Sequence, residues 1–288
     1  MSFLERISAV NQYNPNHFRP FWVAGKKLGF VKHAFAETLT RWQTVFSVDD
    51  GSVSLSAALT SVAVRSHAVA EVLHTLRDEG LVPGWRDERY PVSASFSEPP
   101  YLVMERAAVP LFGIRAYGIH VNGFVHDAGG IKMWVAQRSQ SKPTEPGKLD
   151  QLVAGGQPID IGLRDNVLKE CWEEAGIPAE IARQAKPVGA ISYCRETSQG
   201  LRPDVIFAFD LELPADFTPV NQDGEVAAFF LWPMERVIST VQDSIAFKAN
   251  CALVVIHFLI RHGFVDPEHP DYLTILQSLL SGYNVIPS

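Results

Sequence analysis

The chain is poor in cysteine: its 288 residues include only Cys171, Cys194 and Cys251, with no paired spacing among them. That argues against a disulfide framework and a cysteine metal site, and it suits a reducing compartment. Long apolar runs are also missing. The closest approach, 251–260, is interrupted by His257 and falls short of the roughly 18 residues that a spanning helix needs. The opening Met-Ser-Phe-Leu-Glu-Arg has no apolar signal region, so a cytoplasmic protein without a membrane partner is expected. A lysine and arginine stripe with interleaved aromatics is absent and the net charge is -7, which argues against a nucleic acid polymer as partner. Nine histidines occur without a His-x-His or His-x-x-x-His pair, against a zinc hydrolase. With no Gly-x-Ser-x-Gly elbow and no Walker loop, serine nucleophiles and P-loop chemistry are set aside. No internal repeat or low-complexity tract is found.

What is present is an ordinary globular composition, 47% hydrophobic and 20% charged, in a chain long enough for about two domains. Pro99, Pro100 and Pro110 bracket a boundary. Residues 1–110 read as a small α+β domain, with a helix over 61–79 that turns Val62, Val69, Val72, Leu73 and Leu76 inward and stops at Gly80 and Pro83. Its aromatics Phe18, Phe21 and Trp22 fit a core, or alternatively a ligand cleft. Residues 111–288 alternate differently. Strands are expected over 117–125, 131–137, 188–193, 205–213 and 227–232, around a helix starting near Leu163, with helical segments from Ile245 and from Tyr272.

The helix near Leu163 carries the chemistry. It follows the glycine pair Gly155-Gly156 and places Glu170, Glu173 and Glu174 within one turn. On a helical wheel Leu163, Val167, Leu168, Cys171, Trp172 and Ala175 fill an apolar half, while the three carboxylates share an arc on the other side, Glu174 bordering the apolar stripe. Like charges at i,i+3 and i,i+4 weaken a helix unless a cation compensates them. Mg²⁺ or Mn²⁺ would do so, because hard cations take carboxylate oxygens and keep waters for phosphate. The plain alternative is a solvated acidic face.

The stretch 155–177 resembles the Nudix box, G-x5-E-x7-R-E-U-x-E-E-x-G-U, with U apolar. The half Glu170-Cys-Trp-Glu-Glu-Ala-Gly-Ile177 matches at every fixed position, whereas Ile161 stands in place of the first Glu and Lys169 in place of the Arg. The segments 148–158, 223–226 (Asp-Gly-Glu-Val) and 247–254 (Phe-Lys-Ala-Asn-Cys-Ala-Leu-Val) look like the thiamin-pyrophosphokinase-related Nudix group, whose members carry an extra N-terminal domain. The resemblance implies an α/β Nudix α/β/α sandwich with a mixed sheet, preceded by the small α+β domain. It also implies metal-dependent hydrolysis of a small-molecule diphosphate, with thiamin diphosphate or an oxidised or analogue form giving the monophosphate.

By the same resemblance Glu170 and Glu174 are the first-choice metal ligands, with Glu173 supporting or binding a second ion, and the carbonyl of Gly155 or Gly156 completing the shell. Glu174 and Glu225 are the candidate catalytic acids, Glu225 being a loop ligand or general base, or else a solvated turn residue. Arg138, Lys248, Asn250 and Gly156 are the candidates for substrate binding, Arg138 alternatively being a surface charge at a strand end. Arg195 is a further candidate. A homodimer is expected. A ligand-sensing module that lost catalysis, motivated by Ile161 and Lys169, and a hydrolase of nucleoside diphosphate derivatives are the competing readings.

Overall fold

The structure is a computed structural model that describes residues 2–142 and 144–285. The chain opens with helix α1 (Phe3–Ala9), then strands β1 (Phe18–Val23) and β2 (Lys26–Lys32), helix α2 (His33–Leu39), strands β3 (Phe46–Val48) and β4 (Val53–Leu55), helix α3 (Val62–Asp78) and strands β5 (Arg89–Val92) and β6 (Leu102–Glu105). It continues with strands β7 (Tyr117–Asp127), β8 (Gly130–Arg138), β9 (Leu149–Asp150) and β10 (Val153–Gly156), then helices α4 (Leu163–Ala175) and α5 (Ala179–Ala182). Strands β11 (Lys186–Glu196), β12 (Leu201–Glu212) and β13 (Val226–Pro233) follow, and helices α6 (Met234–Asp243), α7 (Ala249–Arg261) and α8 (Tyr272–Ser278) come last.

The first unit is α+β. Strands β2-β1-β4-β3 form one sheet and β5-β6 a separate hairpin. Helix α3 starts at Ser61, whose hydroxyl accepts from Val64 N, and it buries Val69, Val72, Leu73 and Leu76 as its periodicity predicts. Val62, expected inward, is instead exposed, as are the next two residues of the helix. Of the three aromatics, Phe21 is fully buried and Phe18 nearly so, the core reading, while Trp22 is only half-buried.

The second unit is the expected α/β/α sandwich. Its sheet runs β11-β12-β7-β8-β13, with β10 added to β7 and β9 to β8. Strand β12 is parallel to β7, while β10 and β8 are antiparallel to it, so the sheet is mixed. Alternation along β12 builds two cores: Phe207, Phe209 and Leu211 face α4, and Ile206 and Ala208 face α7. Helix α7 is apolar on nearly every side because the sheet lies beneath it and α1 and α6 pack against it. No helix among the described residues is long and apolar enough to cross a membrane. Helix α1 and its C-cap Val10, far upstream of this unit in sequence, lend Phe3, Ile7 and Val10 to the same core. Its buried Arg6 donates to Val241 O and Gln242 O, satisfying carbonyls at the end of α6.

One expectation on α4 is corrected. Val167, Cys171 and Ala175 face the sheet, but Trp172 is 54% exposed and Glu174 is buried on the other flank. The stripe is narrower than the wheel suggests. A carboxylate occupies the second buried flank because the Ala154 N–H, at 2.7 Å from Glu174 Oε2, meets it there.

Candidate functional site

Strand β10 positions the site. Gly155 lies opposite Ile119 and Gly156 opposite Gly118, so the two glycines present opposite faces. A Cβ on Gly155 would lie 2.4 Å from the Glu170 carboxyl carbon, and one on Gly156 would lie 1.9 Å from the Tyr90 hydroxyl and 3.1 Å from Arg106 Cζ. Only glycine permits both approaches. The first lets α4 set Glu170 against the strand, and the second lets the N-terminal unit close over it. Helix α4 ends at Gly176, with φ +62, in the left-handed C-cap geometry that glycine favours.

The two departures from the motif have a structural counterpart. Asn166, fully buried, donates to Gly156 O at 2.7 Å and Gln157 Oε1 at 3.1 Å, and Gln157 donates to Ile161 O at 2.7 Å. These amides tie the loop to the helix without the motif's first Glu. Lys169, in the place of the Arg, reaches Glu173 at 2.6 Å and Glu170 at 3.1 Å.

Glu170, Glu173, Glu174, Glu225, Gly155, Gly156, Arg138, Lys248 and Asn250 all line one cavity of about 1120 Å³ between the two units. Arg195 lies on its wall as well. Burial raises the Glu174 carboxyl well above its ordinary range; the Ala154 N–H opposes this, and the charges of Asp150 and Glu170 add to it. Burial also raises Glu170, with Lys169 opposing. A buried and a half-buried carboxylate that repel one another form a set of hard oxygen donors, which fits a divalent cation. Glu225 behaves differently. Burial raises its carboxyl, but the ion pair with Lys142 outweighs this and keeps it below its ordinary value.

The basic candidates are partly engaged. Arg138 is buried, donating to Asp150 Oδ2 at 2.8 Å and Thr144 O at 2.8 Å, so it clamps the loop after β8 to β9. Lys248 caps α7, and its Nζ is 3.6 Å from the same Asp150 oxygen. Asn250 donates to the Tyr193 hydroxyl at 3.2 Å. Burial alone would raise Asp150, yet Lys248, His120 and Arg138 lower it to about 2. Ligand atoms of His120, Asp150 and Cys251 lie within 4.8 Å of one another, a spacing that could hold a metal ion. Two cations already compensate Asp150, however, and burial keeps Cys251 a thiol that donates to Asp150 at 2.7 Å. A cation is more weakly favoured there than at the carboxylates of α4.

Residues that sequence reasoning missed are Asp150, Asn166, Tyr90 and Arg106. Asn166 lies within the box itself and Asp150 within the segment 148–158, while Tyr90 and Arg106 carry no motif signal.

A mixed-sheet sandwich whose glycine pair and helix carboxylates open on a cavity edged with lysine and arginine is an arrangement that fits metal-dependent hydrolysis of a phosphoric anhydride. Similarity narrows the class. The chain is 44% identical to "Nudix hydrolase 20, chloroplastic" of Arabidopsis thaliana, over 96% of this chain and 77% of that protein. It is 42% identical to "Nudix hydrolase 24, chloroplastic" of the same plant, over 97% and 78%. An uncharacterized protein of Saccharomyces cerevisiae is 34% identical over 88% and 80%. Residues 2–116 match a domain of unknown function, DUF4743. The chain belongs to the Nudix hydrolase family. Membership carries a phosphohydrolase activity of the diphosphatase type and a requirement for a divalent cation.

Proposed function

We propose that the protein hydrolyses a small-molecule diphosphate with Mg²⁺ or Mn²⁺, thiamin diphosphate or an oxidised or analogue form being the substrate and the monophosphate and phosphate the products. The observation that carries the diphosphate reading is the meeting of Glu170, Glu173, Glu174 and Glu225 with Lys248 in one cavity. The thiamin assignment rests on the resemblance of 148–158, 223–226 and 247–254 to the thiamin-pyrophosphokinase-related group. Tyr117 and Tyr193 on the cavity wall offer aromatic surface to an organic moiety.

Glu170 and Glu174 would hold the cation, with Glu173 assisting. When bound, such an ion acidifies water and neutralises charge on diphosphate oxygens. The protein's own groups do the remainder. Lys248 meets non-bridging oxygens from the start of α7, and Arg138 keeps the neighbouring loop and Asp150 in place. Glu225, held ionised by Lys142, is the side chain suited to take a proton from the attacking water.

The test is product identity from a panel of thiamin diphosphate, its oxidised analogues, nucleoside di- and triphosphates and ADP-ribose, with and without Mg²⁺ or Mn²⁺. Metal-dependent release of a thiamin-type monophosphate supports the whole reading. Preference for another diphosphate sinks the thiamin assignment alone, and no turnover of any compound beside saturable binding favours a sensor.

A further inference from the structure

The wall of the cavity opposite the box is built by the N-terminal unit, and nothing described so far gives that wall a task. Tyr90 of β5 is 3% exposed and belongs to the cavity lining; its buried hydroxyl packs on Gly156 and among the described residues has no hydrogen-bond partner. A buried phenol without a partner costs on the order of 1–3 kcal/mol unless something else fills the role. Arg106 follows β6 directly, and its guanidinium lies over the Tyr90 ring, 5.6 Å from the centroid. Glu88 takes one of its nitrogens, Nη1, at 2.6 Å. Nη2 lies 3.2 Å from where a Cβ on Gly156 would sit, and among the described residues neither it nor Nε has a hydrogen-bond acceptor.

Position decides what these donors could meet. Gly155 and Gly156 are consecutive, about 3.8 Å apart at Cα. The Glu170 carboxylate packs on the first, and Tyr90 and Arg106 pack on the second. The metal carboxylates and the cation–hydroxyl pair therefore flank one dipeptide from its two faces, and both line the same cavity. An arginine fork and a phenol O–H match the oxygens of a phosphoryl group, whereas an apolar or cationic moiety would leave the buried phenol unsatisfied and the guanidinium to solvent. Ile159 N donates to Arg89 O at 3.0 Å, so the loop of the box is itself tied to β5 beside Tyr90.

We infer that Tyr90 and Arg106 of the N-terminal unit bind a phosphoryl group of the diphosphate, so that this unit completes the active site. The inference rests on the diphosphate reading above but not on thiamin. The Glu88 ion pair sets the guanidinium plane, and Glu88 is a positioning residue.

The probe is inorganic pyrophosphate, titrated calorimetrically in the presence of Mg²⁺ into the full chain, beside Mn²⁺ binding followed by paramagnetic resonance and urea unfolding. Tyr90→Phe should weaken pyrophosphate binding about 5-fold and Arg106→Ala about 30-fold, by loss of one neutral and one charge-assisted hydrogen-bond donor. Mn²⁺ affinity should stay within twofold. Arg106→Lys should recover part of the loss. Since the Tyr90 hydroxyl has no partner among the described residues, Tyr90→Phe should not lower stability, which a purely structural tyrosine would do. Wild-type binding with unchanged affinity in both folded variants overturns the inference and leaves the diphosphate reading standing. No pyrophosphate binding by the wild type overturns both together.

Discussion

The two walls of the cavity differ in charge, in origin and in how they are held. The box wall is one helix and one strand, close in sequence, and its carboxylates are strained by burial and mutual repulsion. The opposite wall comes from a separate unit and presents a phenol and a guanidinium. The first wall suits a cation that drives the chemistry; the second suits the group to be held. Between them lies the glycine pair, which both walls touch.

The largest effect that would break this division is at the box. Glu174→Gln should lower turnover at least about a hundredfold with the fold intact, because metal activation supplies several kcal/mol of transition-state stabilisation. An unchanged rate in a folded variant would remove α4 from the mechanism. Gly156→Ala comes next. Its methyl would collide with the Tyr90 hydroxyl, the contact being 1.9 Å, and overpacking of this kind costs about 1–3 kcal/mol. Urea unfolding should show that loss, and a second substitution, Tyr90→Phe, should return part of it.

A control lies far from both walls. Burial would raise Asp210, but His262 and Arg261 hydrogen-bond to it and lower it from 3.8 to about 2. The folded value lies below the unfolded one, so the stabilisation is present above about pH 4 and fades as pH falls towards 2. Asp210→Asn should therefore cost on the order of 2 kcal/mol at pH 7 and progressively less in acid, read from unfolding midpoints against pH. A constant cost at every pH would refute the assignment. The smallest effect is on the outer face of α4. Trp172→Ser should alter stability by less than about 0.5 kcal/mol, as the side chain is half in solvent, and a larger loss would restore the inward reading.

What the sequence revealed follows from how local each signal is. The box helix, the glycine pair before it and the succession of strands along the second unit were legible because periodicity and turn residues lie within one segment. The inward position of Trp172 was misjudged because a wheel gives angles but not the width of the groove beneath it. Helix α6 was missed, since β13 runs into it with Pro233 as N-cap and no side-chain cap to mark its start. Helix α1 has a capping box at Ser2 and Glu5, a signal that was there to be read, but its packing on α6 and α7 is purely tertiary. Tyr90 and Arg106 were invisible for the same reason. They lie 66 and 50 residues before Gly156 on elements without a motif, and only the docking of the two units brings them to it. Asp150 gains its meaning from Arg138 and Lys248, the latter 98 residues further along the chain.

The most direct test of the division is a paired steady-state measurement on whichever diphosphate is turned over best: kcat and KM for Glu174→Gln beside Tyr90→Phe, at saturating Mg²⁺. The account predicts that Glu174→Gln loses kcat with little change in KM, while Tyr90→Phe raises KM and keeps most of kcat. Equal loss of kcat in both variants, or a KM effect confined to Glu174→Gln, would contradict it.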